Sequence, residues 1–164
     1  MKINNIFRAG IFSAVCFIFT SATAGEYKIG DLTVKDEKSH RSVTFSKEML
    51  DKLPKSSITT STPWLSKTKF SGIRVKDVLE ATGYHGKRLR VHALNDYWVD
   101  IPMSDVDNYN ILLANKRGEQ ELRVRDFGPY FIVYPFDDNS SELSKPIYYS
   151  RSVWQVDNIT VMEK

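Results

Sequence analysis

Hydrophobic and polar positions along this chain change period several times, and each change marks an element. Residues 27–34 alternate as a broken strand, with a turn at Gly30-Asp31. Val43 and Phe45 lead into a helix that Ser46 can cap, with Phe45 and Leu50 at the two positions of a hydrophobic staple. Pro54 closes that helix after Leu53. Val75, Val78, Leu79 and Thr82 then fall on one helical face, and Gly83 follows as a ready C′ residue. Residues 89–93 and 98–101 alternate as strands, the second stopped at Pro102, and Ser104 is placed to cap a short helix. Ile111 to Ala114 is a further apolar run, followed by a hairpin turn over residues 116–119. Residues 131–134 are apolar throughout and read as a central strand covered on both faces, and residues 154–161 supply the last strand. Strands outnumber helices and follow one another closely. The expected class is α+β: one strand-rich domain with mixed sheets and short helices.

The amino terminus follows a different pattern. Lys2 and Arg8 precede an apolar run from Ala9 to Phe19, and Ala22 and Ala24 fit an A-x-A cleavage site. These are the parts of a secretory signal, and the run falls short of the ~18–20 residues that span a bilayer. Residues 1–24 are expected to be a cleaved leader, with residues 25–164 as the exported, periplasmic domain and no direct membrane anchor. Removing Lys2 and Arg8 takes 23 basic residues to 21 against 20 acidic ones, a net of +1. The charges are interspersed, so no nucleic-acid footprint is expected. Cys16, the one cysteine, leaves with the leader, which removes disulfides and thiolate metal ligands from the expected domain.

Several chemistries are excluded by what is missing. His40, His85 and His92 form no metal-binding spacing, and neither a nucleophile elbow nor a glycine-rich phosphate loop is present. Asp126-Phe127-Gly128 spells a kinase triplet without any of the surrounding kinase motifs. The two Asn-x-Ser/Thr patterns, at Asn139 and Asn158, have meaning only in a eukaryotic secretory route. What remains is aromatic residues beside turn-forming and charged ones, at positions 59–64, 93–98, 125–130 and 148–154. Any one ring reads most simply as core. Together, beside Asn, Asp, Arg and Thr, they suit a flat heteroaromatic ligand.

The ordered series Leu53-Pro54, Ile58-Thr59-Thr60, Trp64, Phe70-Ser71-Gly72-Ile73, Val78-Leu79 and Gly83 resembles the sulfite-oxidase-type molybdopterin-binding domain. The similarity continues through Ala93-Leu94-Asn95-Asp96-Tyr97, Ile101-Pro102, residues 111–114, Gly128-Pro129, Tyr134-Pro135 and Trp154-Gln155-Val156. That family holds molybdenum through a cysteine thiolate. Here the corresponding stretch is Ile58-Thr59-Thr60-Ser61-Thr62-Pro63-Trp64, with the thiolate position at Thr60, or at Ser61 or Thr62 in a neighbouring register. A neutral hydroxyl does not replace a soft, anionic thiolate, so no molybdenum is expected.

A small exported subgroup of that family is more similar. The resemblance implies a pterin sensor, binding a reduced monopterin without metal. Such a protein controls a membrane-bound enzyme that makes or degrades cyclic di-GMP, by docking on its periplasmic domain. Within that reading Asp96 and Asp126 are candidates to accept the 2-amino-4-oxo edge in a fork, with Asn95 as a neutral helper. Trp64, Tyr97, Phe127 and Trp154 are candidates for the stacking face, and Arg125 or Arg151 for the O4/N5 side or a hydroxylated tail. Gly128 would allow close backbone approach, and Thr60 lies at the lost metal position. Two rival readings stand beside it. One is a molybdopterin-dependent oxidoreductase or a degenerate subunit of one. The other is an interaction module that kept the fold and lost the pocket.

Overall fold

The computed structural model describes residues 28–164, so the expected leader, Cys16 and the start of the first strand lie outside the described residues. Among the described residues, ten strands and five short α-helices follow one another, and the strands form two five-stranded sheets. The first contains β1 (Leu32–Asp36), β2 (Arg41–Phe45), β5 (Arg88–Ala93), β6 (Trp98–Pro102) and β10 (Val156–Met162), in the order β2-β1-β10-β5-β6. β1 and β10 run parallel and all other neighbours antiparallel. The second is antiparallel and contains β3 (Ser56–Thr62), β4 (Leu65–Arg74), β7 (Leu112–Arg117), β8 (Gln120–Glu121) and β9 (Phe131–Val133). The helices are α1 (Lys47–Asp51), α2 (Val75–Thr82), α3 (Met103–Tyr109), α4 (Ser140–Leu143) and α5 (Pro146–Arg151). The mixed-sheet α+β class expected from the pattern is what forms. Among the described residues no helix is long and apolar enough to cross a membrane.

Local chemistry explains the best-defined elements. Ser46 Oγ accepts from the Met49 amide at 3.3 Å at the start of α1, and the staple residues Phe45 and Leu50 are both buried. α2 turns Val75, Val78 and Leu79 inward and ends on Gly83 at φ +67°, where a side chain would be strained. The main core gathers Leu32, Val34, Leu89, Val91, Ile159 and Val161 from the first sheet under α2 and α3. Each fully buried aliphatic there contributes about 1.5–3 kcal/mol of transfer free energy. A smaller, aromatic cluster lies on the second sheet around Phe70, Leu112 and Phe131, with Phe127 and Trp154 packed against it.

Three expectations are corrected. α3 begins at Met103 with Pro102 as its N-cap residue, so Ser104 lies inside the helix; the fixed φ of Pro102, −61°, sets the entry two residues early. Residues 131–133 form a strand buried on both faces but central only in part. β9 pairs with β7 along one edge, while its other edge makes only the isolated Phe131–Trp154 bridge and a hydrogen bond from the Ile132 amide to the Val153 carbonyl at 2.8 Å. Trp154 is not in the last strand. It makes a single bridge to Phe131, and Gln155 at φ +57° breaks the chain before β10 starts at Val156. The β3–β4 hairpin, α4 and α5 were not anticipated.

Candidate functional site

A cleft of about 280 Å³ opens where three connections meet: the β3–β4 turn, the β5–β6 turn and the segment running from α5 to β10. Its lining includes Trp64, Asn95, Tyr97, Tyr149, Ser152 and Trp154.

The first connection supplies Trp64. Thr62 and Leu65 pair across a two-residue turn, and Thr62 Oγ1 accepts from the amides of Trp64 and Leu65 at 3.3 and 3.1 Å. That side-chain-capped turn presents an indole that remains 41% exposed. Trp64 meets Trp154 edge to face, with ring centroids 4.7 Å apart and planes at 78°. Phe127 supports Trp154 from a second direction at 5.2 Å and stacks on Phe131 at 5.4 Å. Aromatic pairs in such geometry are worth about 0.5–1.5 kcal/mol each beyond area burial. The floor is therefore stiff.

The second connection is a tight turn in which Asp96 sits at φ +64° and its amide donates to the Ala93 carbonyl at 3.1 Å. Asn95 Oδ1 accepts from the Tyr97 amide at 3.2 Å, leaving the amide nitrogen of its side chain as a donor at the cleft. Tyr97 reaches across and donates its hydroxyl to the Ser150 carbonyl at 3.1 Å, tying the turn to α5.

The third connection is anchored from below. Arg151 Nη1 lies 3.0 Å from Asp105 Oδ2, and the Tyr134 hydroxyl donates to the same oxygen at 2.8 Å. Asp105 and Tyr134 are buried, and desolvation with the neighbouring carboxylate drives the Tyr134 phenol well above its ordinary pKa. Tyr134 is a permanent neutral donor. Arg151 Nε is buried without a partner, so the guanidinium is held chiefly by this one ion pair.

Of the eleven residues singled out in the sequence, Trp64, Asn95, Tyr97 and Trp154 come together on the cleft. Phe127 lies behind Trp154, and Arg151 lies beneath the cleft on Asp105. Thr60 is fully buried and does not line the cleft; its hydroxyl donates to the Ser61 carbonyl at 3.1 Å and accepts from the Asp137 amide at 3.0 Å. Asp96 belongs to the turn backbone but not to the lining. Arg125 is 73% exposed, and Asp126 is paired with Arg123 at 2.8 Å; neither lines the cleft. Gly128 lies against the Leu122 carbonyl, where a Cβ would collide with backbone, so it serves a chain crossing.

Tyr149, Ser150, Ser152 and Val153 also line the cleft, and no sequence pattern singles them out. The Tyr-Tyr-Ser-Arg run was visible, but which ring faces the cleft depends on α5, a six-residue helix opened by Pro146.

The chemistry on offer is stacking plus a few neutral polar groups. Among the described residues no carboxylate lines this cleft, so recognition of an amide-like ring edge falls to Asn95 and the Ser150 and Ser152 side. Thr60 offers a neutral, doubly engaged hydroxyl, which does not fit a molybdenum ligand. No protein-family model and no curated protein matches the chain.

Proposed function

We propose that this chain is an exported pterin-binding regulatory protein with a sulfite-oxidase-type molybdopterin-binding fold. It reports a reduced monopterin to the periplasmic domain of a membrane-bound cyclic di-GMP enzyme. The observation that carries the reading is the convergence of Trp64, Trp154, Tyr97 and Tyr149 around one cleft of about 280 Å³. That volume lies just below the ~300–1,000 Å³ common for small-molecule sites, a size suited to a two-ring heterocycle rather than an extended cofactor. The ordered sequence series supports the fold assignment, and the neutral hydroxyl at Thr60 supports a ligand taken up without metal.

In this reading the indoles provide the face on which the pterin stacks, and Asn95 meets its 2-amino-4-oxo edge. The Asn95 side-chain nitrogen can donate to the ring's O4, while Oδ1, which already accepts from the Tyr97 amide, keeps one lone pair for the neighbouring ring N–H. This pairs with a different part of the edge from the two-acceptor fork expected from Asp96 or Asp126. An interaction module that had lost its pocket would have this space filled by side chains. The test is to isolate the protein from its native compartment and oxidise the extract. A stoichiometric fluorescent pterin is expected. Its absence, together with no heat of binding to added dihydro- and tetrahydropterins, would contradict the reading.

A further inference from the structure

Beside the aromatic cleft lies a second cavity, of about 180 Å³, with a different lining. Tyr149 borders both, and the adjacent residues Pro63 and Trp64 each border one. Tyr149 is fixed by its ring contact with Phe136, 5.6 Å between centroids. Where the cleft is walled by rings, the second cavity carries hydroxyls and one carboxylate, from Ser61, Thr62, Ser140, Ser144 and Asp137.

Asp137 supplies the charge in that lining. Its Oδ1 accepts from both the amide and the hydroxyl of Ser61, and Lys67 Nζ stands 3.2 Å from Oδ2. The Ser61 hydroxyl, more than any other neighbour, holds the Asp137 carboxyl below the usual carboxylate range, so it is ionised at neutral pH. A carboxylate has about four acceptor sites, and Oδ2 retains one after Lys67. Thr62 Oγ1 accepts from two amides, which leaves its hydroxyl proton to donate. The Ser140 and Ser144 side chains carry no hydrogen bond to a described residue. This is an unspent set of hydroxyl donors and acceptors around one anionic oxygen.

We infer that the second cavity is a subsite for a neutral, hydroxyl-bearing tail, and that Asp137 makes the site select against phosphorylated ligands. The inference rests on the pterin reading: with the ring stacked in the cleft, a substituent at its edge passes Tyr149 to reach Asp137. A tail hydroxyl donates to Asp137 Oδ2 and accepts from Thr62, Ser140 or Ser144. A phosphate ester carries only acceptors and negative charge toward that oxygen. Lys67, the nearby cation, is already paired with Asp137 at 3.2 Å and would have to leave it to neutralise the ester, so the ester is disfavoured.

The full chain is titrated with three probes, read by calorimetry: 6-methyl-7,8-dihydropterin, 7,8-dihydroneopterin and dihydroneopterin 3′-phosphate. Dihydroneopterin is expected to bind about tenfold more tightly than the methyl compound, as one charge-assisted hydrogen bond allows, and the phosphate at least about tenfold more weakly than dihydroneopterin. Asp137→Asn keeps an acceptor for Ser61 and is expected to bring the phosphate to within about threefold of dihydroneopterin. Ser144→Leu, at an exposed position, fills the cavity; it should reduce dihydroneopterin to the affinity of the methyl compound and leave the latter unchanged. Equal binding of all three probes, or a phosphate preference, overturns the subsite and leaves the pterin reading standing. Binding of none overturns both.

Discussion

Two regions of this molecule each combine exposed tryptophan with an Arg–Asp pair, and they are built to opposite ends. On the outer face of β5 and β6, Trp98 is 49% exposed, but Arg90 covers its ring at 4.0 Å. Arg90 in turn forks onto Asp100 at 2.8 and 3.0 Å, so guanidinium, ring and carboxylate satisfy one another. At the cleft, Trp64 is about as exposed, yet its ring neighbours are Trp154, edge to face, and Phe131 at 6.3 Å, and its remaining surface borders the cleft. The Arg–Asp pair has moved underground there: Arg151 and Asp105 are 16% and 7% exposed, against 29% for both Arg90 and Asp100. Exposure of an aromatic residue is therefore a poor sign of a binding site by itself. A ring whose faces are already taken is a surface cap; a ring left open above a rigid, buried support is a candidate wall.

The contrast is most easily broken at the two carboxylates. Asp105→Ala removes the counter-ion of a buried guanidinium and the acceptor of Tyr134, and is expected to cost about 3–5 kcal/mol in urea unfolding. Asp100→Ala acts on a half-exposed pair and should cost about 1 kcal/mol or less. Equal losses would mean that burial does not separate the two regions. Next in size are the rings. Trp64→Ala is expected to weaken pterin binding about tenfold with little change in Tm, whereas Trp98→Ala should leave affinity unchanged and lower stability by about 0.5–1 kcal/mol.

The smallest expected effect concerns two acids on the first sheet whose pKa values move in opposite directions. Arg90 lowers that of Asp100, so the stability it contributes is present above the ordinary carboxylate pKa and is lost as pH falls through the lowered value. Asp157 is raised, first by desolvation, and its Oδ1 is buried without a partner. Its contribution is greatest below the ordinary pKa and is lost as pH rises through the raised value. Asp157→Asn should therefore raise Tm by roughly 1–3 °C at pH 7 and have no stabilising effect near pH 3, while Asp100→Asn lowers it at pH 7. Melting curves at the two pH values decide both signs.

How far the sequence reveals this depends on how each element is buried. α2 was legible to its ends because Val75, Val78 and Leu79 form one face and Gly83 stops it. The β3–β4 hairpin was not, because Ser-Ser-Ile-Thr-Thr-Ser-Thr carries one apolar residue and only Thr60 is fully buried, so no alternation is displayed. α5 spans six residues, too few for a helical period to repeat. Within the site, the residue types were legible and their directions were not. Asn95 and Asp96 are neighbours in one turn, and the positive φ at Asp96 accompanies a lining that takes Asn95 alone. Arg151 is turned toward the core by Asp105, 46 positions earlier, a contact that no local pattern announces.

The central claim is that the ring-walled cleft takes up a pterin, and it can be read at the walls themselves. The chain has three tryptophans, and Trp98→Phe leaves Trp64 and Trp154 as the only indoles. Titrating that variant with a reduced monopterin should quench its fluorescence saturably, to a stoichiometry of one ligand per chain. A signal that does not change, or that falls linearly without saturation, would contradict the account.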